Sequence, residues 1–230
     1  MINKNFKRLP LENIFNVREL GGYPIGNGSI TNWRIFLRSA DLESIDDSDK
    51  NLLYNYGIRT IIDLRCEFEK QYFKNYSIHE DKRFAYRNIT LIDDFNNFTG
   101  SMYLAIINIF AEYVKEVFYC INEHIEHGGI LFHCVSGKDR TGVITALLLL
   151  LAGVSELDVI ADYMVSAIYL RPDAVLRNRP IETLRSDPKS IEEILDYIKN
   201  KYGTTKNYLI EIGVSESVLS NIYNAFSKNP

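Results

Sequence analysis

The stretch from Gly129 to Val154 limits the possible folds more than any other part of this chain. Ile130-Leu131-Phe132-His133-Cys134-Val135 is short and mostly apolar, as strands buried inside a parallel sheet are. Ser136 to Gly142 is polar and turn-like, and a near-continuous apolar run follows from Val143 to Val154. That run falls short of the about 20 residues a bilayer requires, so it reads as a buried helix and not as an integral membrane segment. A buried strand that feeds a buried helix needs further strands beside it and further helices over it.

The remaining sequence supplies them. Ile58-Arg59-Thr60-Ile61-Ile62-Asp63-Leu64 is rich in β-branched residues and suits a central strand. Phe84 to Leu91 reads as another strand. Asp47-Ser48 can cap a short helix through Tyr56, closed by Gly57, and Glu67 to Phe73 predicts a second short helix. From Ser101 to His127, Leu104, Ile107, Phe110, Val114, Val117, Phe118, Ile121 and Ile125 recur at helical spacing, which predicts one helix stopped by Gly128-Gly129. In residues 1–45, Gly21-Gly22 and Gly26-Asn27-Gly28 bracket short apolar pieces and Ser29 to Leu37 reads as a strand, which predicts an irregular hairpin. Ser155 caps a helix to about Leu170, with Asp158 in capping-box position. Residues 171–190 carry Pro172, Pro180 and Pro188 and read as irregular; helices near 189–202 and 215–227 close the chain. The expectation is an α/β fold with a central, mostly parallel sheet flanked by helices and a helical C-terminal part. No linker-like shift in composition divides the 230 residues, so one domain over 1–230 is expected.

Composition removes several function classes. A net charge of -4 provides no basic field, so no nucleic-acid partner is expected. Three Cys, at 66, 120 and 134, make no disulfide framework and fit a reducing compartment. The four His, at 79, 124, 127 and 133, lack zinc-ligand spacing and there is no C-x-x-C, so no metal and no cofactor is expected. The first residues lack an apolar core segment, which points to a cytoplasmic protein without a secretory signal.

The chemistry concentrates in His133-Cys134-Val135-Ser136-Gly137-Lys138-Asp139-Arg140-Thr141-Gly142. A tight loop between a buried strand and a helix N-terminus points backbone N–H groups into one concavity, and the helix dipole adds a positive end there: an anion site. Arg140, six residues after Cys134, can return a planar fork of donors to the same cradle, a match for phosphate oxygens. Helix N-termini and nearby cations bring a thiol from about 8.5 to about 3.5–7.5, so Cys134 is expected as a thiolate nucleophile. Gly137 permits close backbone approach, and Thr141 offers a hydroxyl near the sulfur. A Walker phosphate loop is excluded, because position 132 is Phe and position 139 is Asp. Cys66 and Cys120 have no basic, glycine-containing loop beside them and read as small buried hydrophobes.

His133-Cys134 through Arg140-Thr141-Gly142 resembles the C-x5-R phosphate loop of cysteine-dependent phosphatases. The Gly-Lys-Asp-Arg-Thr-Gly variant resembles the bacterial tyrosine-phosphatase-like family with phosphoinositide activity. Asn16-Val17-Arg18-Glu19-Leu20-Gly21-Gly22, Arg38-Ser39-Ala40-Asp41-Leu42 and Gly57 to Arg65 agree with it. The resemblance implies hydrolysis of a phosphomonoester, on phosphotyrosine proteins or phosphoinositides, through a cysteinyl-phosphate. It implies Cys134 as nucleophile, Arg140 and the amides of Val135, Ser136, Gly137, Lys138 and Asp139 as the phosphate cradle, His133 as the residue that tunes Cys134, and Thr141 as an aid to thiolate departure. Asp139 is the implied general acid, with Asp93 or Asp94 as local rivals. Lys138 is placed to meet a second phosphate, and Asp63, at a strand end, to orient Arg140 or Lys138, or else to pair with Arg65. Arg171, Arg177, Arg179 and Arg185 read as a solvated loop balanced by Asp173, Glu182 and Asp187 rather than as an anion-gathering lid. Asp162, Tyr163, Ser166 and Tyr169 resemble a helix pattern of the same family, although tyrosines at this spacing usually pack. The alternatives are a catalytically weak phospho-ligand binding module or another Cys-loop enzyme such as a sulfurtransferase or an arsenate reductase.

Overall fold

Alternation along the central strands sorts the apolar residues into two layers. In the computed structural model, which describes residues 4–26, 28–72, 76–93, 100–176 and 180–227, strand β5 (Gly129–His133) sends Ile130 and Phe132 to one face and Leu131 to the other. Its neighbours β2 (Phe36–Ser39) and β3 (Ile58–Asp63) divide likewise: Phe36 and Ile62 join the first face, Leu37 and Ile61 the second. Among the described residues the sheet order is β1-β2-β5-β3-β4, where β1 is Arg18–Glu19 and β4 is Ala85–Asn88. The four strands β2 to β5 run parallel; β1 alone is antiparallel, to β2. This is the mixed α/β architecture expected.

The first face carries the thick helical layer: α4 (Met102–Asn108), α5 (Ala111–His124), α6 (Asp139–Ala152), α7 (Glu156–Tyr169), α9 (Pro188–Tyr202), α10 (Thr205–Glu211) and α11 (Glu216–Ser227). The second face is covered by α1 (Asp47–Tyr56) and the N-terminal segment with Leu9, Leu11 and Ile14. Short α2 (Glu67–Tyr72) and α3 (Tyr76–His79) follow β3, and α8 (Arg171–Leu176) follows α7. α6 is apolar on nearly every side because it lies inside the thick layer.

Three expectations require correction. The strand expected over Ser29–Leu37 is instead Phe36–Ser39, paired in parallel with β5, while the irregular hairpin itself forms earlier: Gly22 and Thr31, Tyr23 and Thr31, and Ile25 and Ser29 are joined by backbone hydrogen bonds around the Pro24–Ile30 bridge. The single helix expected over 101–127 is two, broken at Ile109-Phe110, followed by a 3-10 turn at Ile125–His127. The Tyr208 hydroxyl donates to the Ile107 carbonyl across the break at 3.0 Å, a bond that periodicity within one segment cannot foresee. The stretch 171–190 holds α8 and a 3-10 turn at Ile181–Leu184, and α10, capped by Thr204, was not anticipated.

Register brings the ends of three parallel strands together. His133 lies beside Ser39 on β2 and Asp63 on β3, so the loop that follows β5 emerges at the C-terminal edge of the sheet, the usual place for a ligand crevice in α/β folds. Among the described residues no helix is long and apolar enough to cross a membrane.

Candidate active site

Cys134 directly follows β5 and is almost fully buried, and α6 begins five residues later. The loop between them is shaped by Gly137, whose φ of 63° lies in the left-handed region. A Cβ at this position would stand 2.0 Å from the Ser39 carbonyl oxygen, so only glycine fits this close to the end of β2. Asp139 and Arg140 occupy the first turn of α6, where the backbone N–H groups have no helical partner and face the positive end of the dipole.

Every carbonyl on the outside of the loop has a donor. Val135 O accepts from the Asp41 amide at 2.9 Å. Ser136 O and Gly137 O accept from Asn16 Nδ2 at 3.0 and 3.1 Å. Gly137 O and Lys138 O accept from Arg38 Nη2 at 2.7 and 3.3 Å. Arg38 is itself anchored through Nη1 to Asp162 Oδ2 at 2.5 Å, and Arg18 Nε holds the other oxygen of the same carboxylate at 2.8 Å. Tyr23 donates to Asp162, and Arg18 Nη2 also donates to Ser166 Oγ. Burial alone would raise the Asp162 pKa; the two guanidinium groups outweigh it and hold the carboxyl well below the usual range. Burial, then Arg18, pushes Arg38 down to about 10, which leaves it charged at neutral pH.

On the ligand side, Arg140 makes a bidentate ion pair with Glu69, with both N···O distances 2.5 Å. Burial works against its charge, but Cys134 and Glu69 reverse this and raise its pKa. Glu69 also accepts from the Cys66 amide at 3.0 Å. Lys138 Nζ donates to Asp139 Oδ1 at 2.6 Å, and the Tyr103 hydroxyl of α4 donates to the same oxygen. Tyr103 and Tyr163 share a further hydrogen bond at 2.6 Å. Among the described residues the buried Thr141 hydroxyl has no hydrogen-bond partner.

The expected residues distribute as follows. His133, Cys134, Val135, Ser136, Gly137, Lys138, Asp139, Arg140 and Thr141 run from the end of β5 through the loop into the first turn of α6. His133 is fully buried, its Nδ1 lies 3.2 Å from the Cys134 carbonyl oxygen, and burial pushes its pKa down against the opposing pull of Asp63. Asp63 takes the alternative pairing with Arg65. It binds Arg65 through both oxygens and accepts from Tyr86 at 2.6 Å, because a carboxylate at a strand end meets an arginine two residues on more readily than one on another element. Its Oδ2 stands 3.8 Å from His133 Nε2. Asp93 lines a depression of about 410 Å³ with Cys66, Phe68, Asn88 and Tyr113, and accepts a long 3.5 Å bond from Tyr113. Asp94, Arg177 and Arg179 lie outside the described residues; Arg171 and Arg185 are exposed, whereas Asp173 is buried and not solvated. Cys66 and Cys120 are buried free thiols, and burial raises the pKa of both.

Glu69 and Tyr103 are not marked by the sequence, and Asn16, Arg38 and Asp162 stand in motifs that assign them no role. The available signal was polarity in the wrong place. Asp162 stands on the apolar face of α7 between Val159 and Tyr163, and Arg38 interrupts a buried strand. Among the described residues no cluster of His, Cys, Asp and Glu gathers that could hold a metal.

The sequence profile of the tyrosine phosphatase family matches residues 9–228. A tyrosine-protein phosphatase of Nostoc commune is 31% identical over 214 residues, which covers 81% of this chain and 72% of that protein. The crystal structure of P. aeruginosa TpbA is similar at a TM-score of 0.38 and 15% identity, over 66% of this chain and 84% of that one. A second TpbA structure, in complex with pTyr, has a TM-score of 0.37 at 13% identity, over 66% and 83% of the two chains. These two structural likenesses are too slight to carry over anything of TpbA's chemistry.

Proposed function

This chain belongs to the tyrosine phosphatase family, and from that premise we propose that it hydrolyses phosphomonoesters through a cysteinyl-phosphate, with phosphotyrosine proteins, phosphoinositides, or both as substrates. The observation that carries the reading is the cup itself. A buried cysteine at a strand end, a loop leading into a helix N-terminus, and Arg140 close enough to feel the cysteine's charge stand together, the groups suited to bind and attack a tetrahedral anion.

The reaction follows from the roles these groups can take. The amides of residues 135–140 and Arg140 hold the three non-bridging oxygens and stabilise the charge that spreads over them in the transition state. Glu69 fixes the guanidinium plane, so that Arg140 is pre-oriented before substrate arrives. The Cys134 sulfur attacks phosphorus in line, the P–S bond forms and the P–O bond breaks. Asp139 hands its proton to the leaving oxygen. Water then attacks phosphorus and gives its proton to the Asp139 carboxylate, the P–S bond breaks and phosphate departs, with the Thr141 hydroxyl placed to donate a hydrogen bond to the departing thiolate. Tyr103 holds Asp139 in place while an arriving phosphate competes for Lys138. Asp139 is favoured over Asp93 as the acid because it belongs to the same loop as Cys134.

A substrate panel tests the proposal: phosphotyrosine and phosphoserine peptides against phosphoinositides, with Cys134→Ser as blank. Turnover of at least one substrate, abolished in Cys134→Ser, is expected. Binding of phospho-ligands with no turnover would leave the weak binding module instead, and turnover of thiosulfate or arsenate would point to another Cys-loop enzyme. A pH–rate comparison of Asp139→Asn with Asp93→Asn assigns the acid. Survival of the limb that requires a protonated acid in Asp139→Asn would reject Asp139.

A further inference from the structure

Two of the N-terminal motifs, Asn16 to Gly22 and Arg38 to Leu42, have no part in the reaction just described, yet their side chains end on the loop. A trans peptide group is planar, with its C=O and N–H pointing in opposite directions. Fixing the carbonyl of residue 136 therefore fixes where the amide hydrogen of residue 137 points, and so on along the loop. Asn16 holds the carbonyls of 136 and 137, and Arg38 those of 137 and 138. Both side chains lie behind the loop and are almost fully buried. The three amide hydrogens coupled to those carbonyls belong to Gly137, Lys138 and Asp139; that of Lys138 makes a long 3.4 Å bond to Ser136 Oγ, which a stronger acceptor in front of the loop can replace.

We propose that Asn16 and Arg38 are positioning residues for the phosphate cup: they turn the peptide groups of residues 136–138 so that the carbonyls face the core and the amide hydrogens face the phosphate, and Asp162 locks Arg38 in the required pose. Without these donors the loop carbonyls would be buried and unsatisfied, and rotation of a peptide toward the cup would present an oxygen to an anion. The same cluster supplies charge. Arg18 and Arg38 share one carboxylate, Asp162, so the group behind the loop carries a net positive charge, and it acts across a low-dielectric interior on whatever anion sits in front. Asn16 suits its place for a second reason. Its φ is 55°, a conformation that Asn and Asp tolerate better than other non-glycine residues, and its Oδ1 accepts from Arg18 Nη1 at 2.5 Å.

This inference rests on the phosphatase reading, and the experiment separates the two. Wild-type chain, Asn16→Asp, Arg38→Met and Arg38→Lys are compared for aryl-phosphate turnover and for orthovanadate binding by titration calorimetry. Folding is checked by near-UV circular dichroism at the assay temperature. Asn16→Asp keeps the size, the tolerated φ and the acceptor toward Arg18, but replaces a donor by an oxygen facing two carbonyls. Its kcat is expected to fall about 100-fold, the scale of losing one oxyanion donor, with a smaller change in KM and at least about 10-fold weaker vanadate binding. Arg38→Met should lose as much, and Arg38→Lys should recover only part. A wild-type chain that neither binds vanadate nor turns over aryl phosphate would sink the phosphatase reading and this inference with it. An active wild type alongside a folded Asn16→Asp whose kcat and vanadate affinity stay within about twofold would overturn the positioning role alone. Variants that melt earlier but keep wild-type kcat and vanadate affinity while folded would mean a purely structural role.

Discussion

Two buried carboxylates flank the loop after β5, and each is held by arginine, but they do different things. Asp63 is satisfied by Arg65, two residues away, and by Tyr86 on the adjacent strand. Asp162 is satisfied by Arg18 and Arg38, 144 and 124 residues away, and through Arg38 it reaches the carbonyls of Gly137 and Lys138. The first pair closes on itself and braces the end of β3. The second ties β1, β2, α7 and the loop into one unit. An ion pair made within a strand end stabilises that end, whereas an ion pair between distant segments can set the shape of what lies between them.

The contrast is broken most directly by removing each carboxylate in turn. Asp162→Asn and Asp63→Asn each leave buried guanidinium without its partner, and each should cost about 3–5 kcal/mol of stability in chemical denaturation. Activity should separate them: assayed while still folded, Asp162→Asn should lose about 100-fold in kcat/KM and Asp63→Asn far less. Equal losses would remove the distinction.

A third buried carboxylate sharpens it through pH. Glu19 accepts from the Tyr56 hydroxyl and the Gly21 and Arg34 amides. Burial raises its pKa to about 7, and those hydrogen bonds only partly offset the rise. A carboxyl whose folded pKa lies above its unfolded value contributes stability below about 4.5 that is lost as pH rises through about 7. Asp162, held low, contributes in the opposite sense, with stability present above the ordinary carboxylate range and lost only in acid. The wild-type chain should therefore lose about 3 kcal/mol relative to Glu19→Gln between those two pH values, measured by denaturation at each pH. Parallel curves for the two proteins would contradict this.

The smallest expected effect concerns the ligand side. Glu69→Gln retains one acceptor for Arg140 but gives up the charge and the bidentate fit, so kcat/KM should fall about 10-fold, mostly through KM. An unchanged KM would show that Arg140 needs no partner to hold its plane.

What could be read without coordinates follows the same division. The strand–loop–helix unit from Gly129 to Ala152 was legible because strand, glycine turn and apolar helix are adjacent in the chain and each obeys a local rule. Cys134 and Arg140 were legible with it, since both belong to that single stretch. Asp63 was legible as a buried strand-end charge, but its choice of Arg65 over Arg140 depended on distances between elements. Asn16, Arg38 and Asp162 stood inside recognisable motifs, yet what joins them is contact across more than a hundred residues, which no periodicity encodes. Tyr103 was hidden by the break at Ile109-Phe110: read as one continuous helix through His127, the segment offered nothing to mark Tyr103 as facing the loop. The parallel pairing of β2 was missed for a related reason, because four buried residues beside a glycine-rich turn read as half of a hairpin.

The central claim is that Cys134 carries the phosphoryl group between the two halves of the reaction. Rapid quench of the wild-type chain mixed with a phosphotyrosine peptide labelled in its phosphoryl group tests it. A transient label on the protein is expected, approaching one phosphoryl per chain, mapped to Cys134 and missing from Cys134→Ser. Turnover with no protein-bound label, or label on any other residue, would contradict it.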